Sequence, residues 1–167
     1  MAEVSIGFFR LTVPGRIPYS KEIVVGNGFP QGWGRSFGKG FGALWYSGEG
    51  VGQMWFHAPI PTFTVMSSVR VLLEDVFIFF QTNGDCFMSH LDVWDGPNLI
   101  NKFPSLHISG DHRVDPVPGE NAFQVRDAGT GAIHTMNFGL NLSMSIDFKS
   151  GSSITFSSAG ASFVTSD

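Results

Sequence analysis

Charge is scarce in this chain and cysteine nearly missing, and each shortage closes off a class of protein. Only 14% of the 167 residues are Asp, Glu, Lys or Arg, against roughly 25% in an ordinary soluble chain. Few strands can therefore present an ionic face, and exposed positions fall to Ser, Thr and Asn. The single cysteine, Cys86, excludes an intrachain disulfide and the stapled architecture of small secreted domains. The longest wholly apolar runs reach about five residues, far below the roughly 18 that a spanning helix needs. The opening "MAEVSIGFFRLTV" carries Glu3 early and has its apolar run cut by Arg10, which makes a poor signal peptide. The expectation is a cytoplasmic protein with no membrane partner. Basic runs are lacking too. Arg10, Arg16, Lys21, Arg35 and Lys39 are scattered among glycines, and the net charge is −4. A nucleic-acid groove needs clustered cations to neutralise phosphates, so no nucleic-acid partner is expected.

What is present is aromatic and apolar: seventeen Phe, four Trp and six Met, large soft groups that wall either a core or a cavity. The length suits one domain, residues 1–167. Its dominant period is two. In "MNFGLNLSMSIDF", Met136, Phe138, Leu140, Leu142, Met144, Ile146 and Phe148 alternate with Asn137, Gly139, Asn141, Ser143, Ser145 and Asp147. Successive Cβ atoms point to opposite faces of a strand, so this pattern gives one buried and one wet face and an antiparallel sheet. The "KSGS" turn at 149–152 then predicts a C-terminal hairpin into "ITFSSAGASFV", with an irregularity at Gly160. Residues 3–13, 69–82 and 86–95 read as further strands, followed by "NLINKF", "HISG", "NAFQVRD" and "AIHT". Asn83-Gly84 predicts a hairpin between 69–82 and 86–95. The adjacent pair Glu74-Asp75 marks a bulge or strand break in an otherwise apolar run. No stretch keeps a helical period. The fold expected is an all-β, antiparallel β-sandwich of about eight to ten strands, with a small closed β-barrel as the alternative.

One segment differs. "GNGFPQGWGRSFGKGFG" (26–42) interleaves seven glycines with Phe29, Trp33, Phe37 and Phe41. It has neither phosphate-loop nor dinucleotide spacing, so a nucleotide cradle fails. It reads as an irregular edge strand whose aromatics plug the sandwich, or as a loop over a pocket.

Candidate chemistry centres on "MWFHAPIP". His57 and Trp55 share a strand face, and Pro59 and Pro61 are expected to end the strand just beyond them. A histidine at a strand end is accessible and titrates near neutrality, which suits a general base. In "SHLDVWDG", His90, Asp92 and Trp94 lie on one face and Leu91 and Val93 on the other. His-x-Asp is also how some non-haem iron sites supply two ligands, with His57 or His134 as the third. The downstream arginine pattern is missing, so no metal or cofactor is expected. Asp95 and Asp111 sit in turns that could jointly offer oxygen ligands to calcium, but without the regular spacing of a calcium loop, and turn chemistry accounts for both. No G-x-S-x-G elbow occurs, and nothing marks Cys86 as an activated thiol.

Taken in order, "WFHAPIPTF", "HLDVWDG", "LHISGDH" and "ITFSSAGASF" resemble a family of small, uncharacterised bacterial all-β proteins with a W-F-H-x-x-I-P-T-P core. Phe63 stands where that motif ends in proline. The resemblance implies the all-β fold and transfers no catalytic residue.

Three functions follow as expectations. The first is a cofactor-free site for an apolar small molecule in an aromatic- and Met-lined cavity, acting as a cyclase or isomerase through confinement. His57, His90 and Asp92 would be its catalytic groups, and Trp33, Arg35, Phe37, Trp55 and Trp94 its ligand contacts. The second is a carbohydrate-binding module that stacks sugars on tryptophan. The third is a structural homo-oligomer whose low charge reflects an interface.

Overall fold

A computed structural model describes residues 2–7, 22–24, 36–40, 43–47, 52–62, 64–66, 69–127, 129–149 and 151–165, with side chains from 52 onward except 65 and 66. The strands in chain order are β1 (Ala2–Gly7), β2 (Glu22–Val24), β3 (Ser36–Gly40), β4 (Ala43–Ser47), β5 (Gly52–Ile60), β6 (Val65–Met66) and β7 (Val69–Asn83). They continue with β8 (Cys86–Asp95), β9 (Asn98–Phe103), β10 (Asp111–His112), β11 (Ala122–Gln124), β12 (His134–Thr135), β13 (Leu140–Phe148) and β14 (Ser153–Thr165). There is no helix among the described residues, so none is long and apolar enough to cross a membrane.

The strands form two sheets that do not close into a barrel, and the protein is an antiparallel β-sandwich. One sheet runs β2-β5-β13-β8-β9; its single parallel pair joins β2 to β5. The other is built on two long strands, β7 and β14, which pair with each other from Val71 to Asn83. Their outer edges are tiled by short pieces. β4 and β1 line β14, while β10, β11, β12 and β6 line β7. β10, β11 and β12 amount to one interrupted strand, since they meet β7 at Phe80–Gln81, Asp75–Phe77 and Leu72–Leu73 in turn. β3, which contains Phe37, borders this larger sheet beyond β4.

Apolar side chains of both sheets meet between them. Phe56 of β5 and Phe156 of β14 are fully buried, with ring centroids 5.1 Å apart. Phe103 of β9 and Phe123 of β11 close the layer at another point, with centroids 5.0 Å apart. Met54, Met88, Met136 and Met144 are all in this core, at 0–7% exposure. These four methionines therefore fill the interlayer, on the opposite side of the sheet from Trp55 and His57.

The two turns expected to make hairpins do something else. β7 and β8 lie in different sheets, as do β13 and β14. The Asn83-Gly84 and 149–152 turns are therefore arches that carry the chain across the sandwich. They stack side by side. Lys149 N donates to Asp85 O at 3.1 Å, Lys149 Nζ pairs with the Asp85 carboxylate, and Cys86 Sγ donates to Ser153 O at 3.1 Å. Gly84 has φ +72°, and a Cβ there would come within 3.2 Å of the Ser152 backbone, so both conformation and space select glycine.

Further boundaries shift for physical reasons. The register of β7 against β14 skips at Glu74, which gives the bulge expected of the Glu74-Asp75 pair. The irregularity expected at Gly160 falls instead at Ser157, and Gly160 pairs regularly with Phe77. Strand β5 runs through Pro59 to Ile60 instead of stopping before it. Among the described residues its pairing with β2 runs from Glu22↔Trp55 to Val24↔His57, so the missing Pro59 N–H falls beyond the described ladder on that edge. Strand β13 starts at Leu140, four residues later than the alternation began, and Phe138 is exposed.

Candidate functional site

The polar counterpart of the core lies on the outer face of the five-stranded sheet. On β5, Met54, Phe56 and Ala58 point inward, which turns Trp55 and His57 outward. On β8, Leu91 and Val93 are fully buried while His90, Asp92 and Trp94 stay half-exposed, as their alternation predicts. β13 lies between these strands and supplies Asn141, Ser143 and Ser145. Register then assembles three cross-strand rows: Trp55–Ser145–His90, His57–Ser143–Asp92 and Pro59–Asn141–Trp94. Lys102 of β9 extends the middle row beyond Asp92. The residues singled out on β5 and β8 thus share one surface, and β13 joins them.

Side chains in the middle row are in contact. His57 Nδ1 lies 2.8 Å from Ser143 Oγ, which also accepts a hydrogen bond from Asn141 Nδ2 at 3.2 Å. With the amide donating to it, the hydroxyl can direct its own proton to Nδ1. The Trp55 and His90 rings are 6.2 Å apart and tilted by 54°. A bulge on β8 leaves Ser89 out of the ladder, and its hydroxyl bridges to Ser145 Oγ at 3.2 Å. Burial raises the Asp92 carboxyl above the ordinary carboxylate range; the nearby His90 and Lys102 charges pull it only part of the way back. Asp92 Oδ1 and Trp94 Nε1 are both shielded from solvent and have no hydrogen-bond partner within the protein.

A serine beside a histidine suggests a nucleophile and its base, but the strand context argues otherwise. Ser143 sits in the middle of β13, whose two edges are both paired, so its backbone N–H belongs to the ladder. Acyl transfer needs N–H donors at the developing oxyanion, and the backbone of a strand paired on both edges has none to spare. The arrangement is better suited to holding a ligand or moving a proton.

Other candidates lie elsewhere. Trp33 and Arg35 are outside the described residues. Phe37 is on β3, in the larger sheet, and so is not on the sheet that carries His57. His134 serves Asp95 instead of joining His90 and Asp92. Among the described residues no group of three or more His, Cys, Asp or Glu gathers to hold a metal. Asp95 and Asp111 are engaged separately, each by groups of the protein itself. The Asp95 side chain is 1% exposed, and its carboxylate accepts from the backbone N–H groups of Asn137, Phe138 and Gly139 at 2.8–3.0 Å. Asn137 Nδ2 and His134 Nε2 (3.1 Å) add two more donors. Asp111 is exposed and paired with Arg113. Asp95 is thus a clamp that gathers residues 134–139 and draws that backbone off the strand line, which explains the late start of β13. Gly96, at φ +56°, completes it, because a Cβ there would sit 2.7 Å from Phe138 Cβ. Cys86 is buried, and burial pushes its thiol up, so it is no activated nucleophile.

Ser143 and Asn141 are the functional candidates that the sequence did not single out. Their alternation places them on the wet side of a strand, but only the register shows that His57 and Asp92 flank Ser143.

Fold and face together define a β-sandwich with an aromatic and polar surface on its smaller sheet. Comparison with protein-family models, with curated proteins and with solved structures returns no match.

Proposed function

We propose that the protein binds a small molecule on the outer face of the five-stranded sheet, and that the ligand has flat apolar faces edged by hydroxyl groups, as a short saccharide does. The carrying observation is the pair of shielded, unpartnered polar atoms, Asp92 Oδ1 and Trp94 Nε1, on the surface that also presents Trp55. A buried polar atom without a partner costs about 1–3 kcal/mol. Ligand hydroxyls that displace the cover over these atoms would donate to the Asp92 carboxylate and accept from the indole N–H, and so relieve both. The Trp55 ring offers an apolar surface for stacking. Trp55 and Trp94 are two strands and four residues apart in register. At about 4.8 Å per strand and 3.3 Å per residue, that spans roughly 16 Å, more than one sugar ring.

The test is titration of intrinsic fluorescence with a panel of neutral oligosaccharides and, in parallel, apolar ligands of similar size. Saccharides should change the emission of the wild type and leave Trp55→Phe and Trp94→Phe far less responsive. A response to apolar ligands alone would overturn the reading.

A second reading rests on the raised Asp92 carboxyl. With His57 across Ser143, it would make a cofactor-free acid–base pair for a cyclase or isomerase acting on an apolar chain. It requires turnover that both His57→Ala and Asp92→Ala abolish.

A further inference from the structure

The larger sheet carries its own cavity on the face away from the core. Register places Gln124, Asp75 and Ser162 in one row across β11, β7 and β14. The next row is Ala122, Phe77 and Gly160, of which Ala122 and Phe77 line the cavity. Pro116 and Pro118 form the wall above these rows and border a half-open cavity of about 400 Å³, within the roughly 300–1,000 Å³ of small-ligand sites.

The wall is anchored. Asn121 is fully buried at the end of the 113–121 loop, where its Oδ1 accepts from Val117 N at 2.6 Å. Its Nδ2 donates to His112 O and Asp115 O, both at 3.0 Å. Three backbone groups, of His112, Asp115 and Val117, are tied to one side chain, so the prolines are held over Phe77 before any ligand arrives, which lowers the ordering cost of binding.

Among the described residues that line the cavity, Asp75 is the charged one. Burial raises the Asp75 carboxyl and the neighbouring Glu74 raises it further; Arg126 lowers it in part, and no hydrogen bond contributes. The bulge at Glu74 seats two adjacent carboxylates opposite a single residue of β14. One carboxylate, one amide carbonyl and one hydroxyl make a row too poor in charge for a hard divalent cation, which draws on several carboxylates. They do match a primary ammonium, which has three N–H donors and no acceptor. Phe77, with the prolines, offers an aromatic and aliphatic surface on which a cation's body can rest.

We infer that this cavity is a second binding site, for a primary amine with an aromatic or apolar body, its ammonium held by Asp75, Gln124 and Ser162 and its body by Phe77 and the two prolines. It is independent of the tryptophan face on the other sheet.

The test uses the full chain and 2-phenylethylammonium, with neutral 2-phenylethanol as the matched control, followed by backbone amide NMR. The amine should shift the amides of 75–77, 122–124 and 160–162 in a saturable way, and phenylethanol should bind at least about tenfold more weakly, the loss of one charge-assisted contact. Asp75→Asn should weaken the amine by a similar factor, and Gln124→Ala, at an exposed position, by less. Trp55→Phe and Trp94→Phe should leave the amine's affinity unchanged. Equal binding of amine and alcohol, an unaltered affinity in Asp75→Asn, or no saturable shift at these amides would each overturn the inference.

Discussion

Asp92 and Asp95 are three residues apart on one strand, and they have opposite fates. Asp95 faces the core side of β8, where burial alone would raise its carboxyl. The His134 ring and three backbone N–H groups outweigh that effect and hold it below the ordinary carboxylate range. Asp92 faces outward, half-buried, and burial raises it with no donor to compensate. The same side chain is structural on one face and poised on the other. What separates them is the supply of N–H donors, because a carboxylate is stabilised inside a protein only when donors replace the water it has lost. The whole sheet follows this division. Its inner face is packed with apolar side chains, and its outer face keeps two shielded polar atoms, Asp92 Oδ1 and Trp94 Nε1, that no described group of the protein satisfies.

The largest effect expected from this contrast is at β5. Phe56→Ala removes a fully buried ring that touches Phe148 and Phe156, and should cost about 3–5 kcal/mol in denaturant unfolding. Trp55→Ala, one residue along and facing out, should cost well under half of that. Equal losses would mean that the outer face is as packed as the inner one, and the contrast would fail.

Next in size is the clamp. Asp95→Ala leaves five N–H donors without their acceptor in a buried site and should cost about 3 kcal/mol. Because the folded Asp95 lies below its unfolded value, its contribution is complete above the ordinary carboxylate range and disappears as the pH falls through the folded value. The loss of wild-type stability as the pH falls below the ordinary carboxylate range should therefore be blunted in Asp95→Ala. Chemical unfolding across that window measures it, and parallel curves for the two proteins would remove Asp95 from the account of acid sensitivity.

Much of this division was legible in the sequence. Alternation alone assigns Leu91 and Val93 inward and His90, Asp92 and Trp94 outward, and the acidic pair in β7 announces its bulge. Less legible was anything that depends on a distant partner. Asn83-Gly84 specifies a local positive φ, which a hairpin and an arch use equally. Only the burial of β7 and β8 on facing sheets decides for the arch. Ser143 meets His57 across a separation of 86 residues, and no local pattern records a register of that span. Asp95 looked like a ligand because turn aspartates and calcium aspartates share a composition. Its donors come from residues 134–139, a segment whose apolar alternation pointed to a strand.

The smallest stability effect expected is at Asp92, and it is the most informative. A carboxyl raised in the folded state binds its proton more tightly there than in the unfolded chain. Its charged form therefore detracts from stability above the folded value, and stability from this group rises as the pH falls through it. Asp92→Asn removes the charge and keeps the shape. It should leave neutral-pH stability at or slightly above that of the wild type while it weakens saccharide binding to the tryptophan face. Those two results in one variant would mark a group kept for what it meets outside the fold, since a structural residue loses stability when replaced. A clear loss of stability in Asp92→Asn would instead show that Asp92 supports the sheet as Asp95 does, and the two faces of β8 would no longer differ in kind.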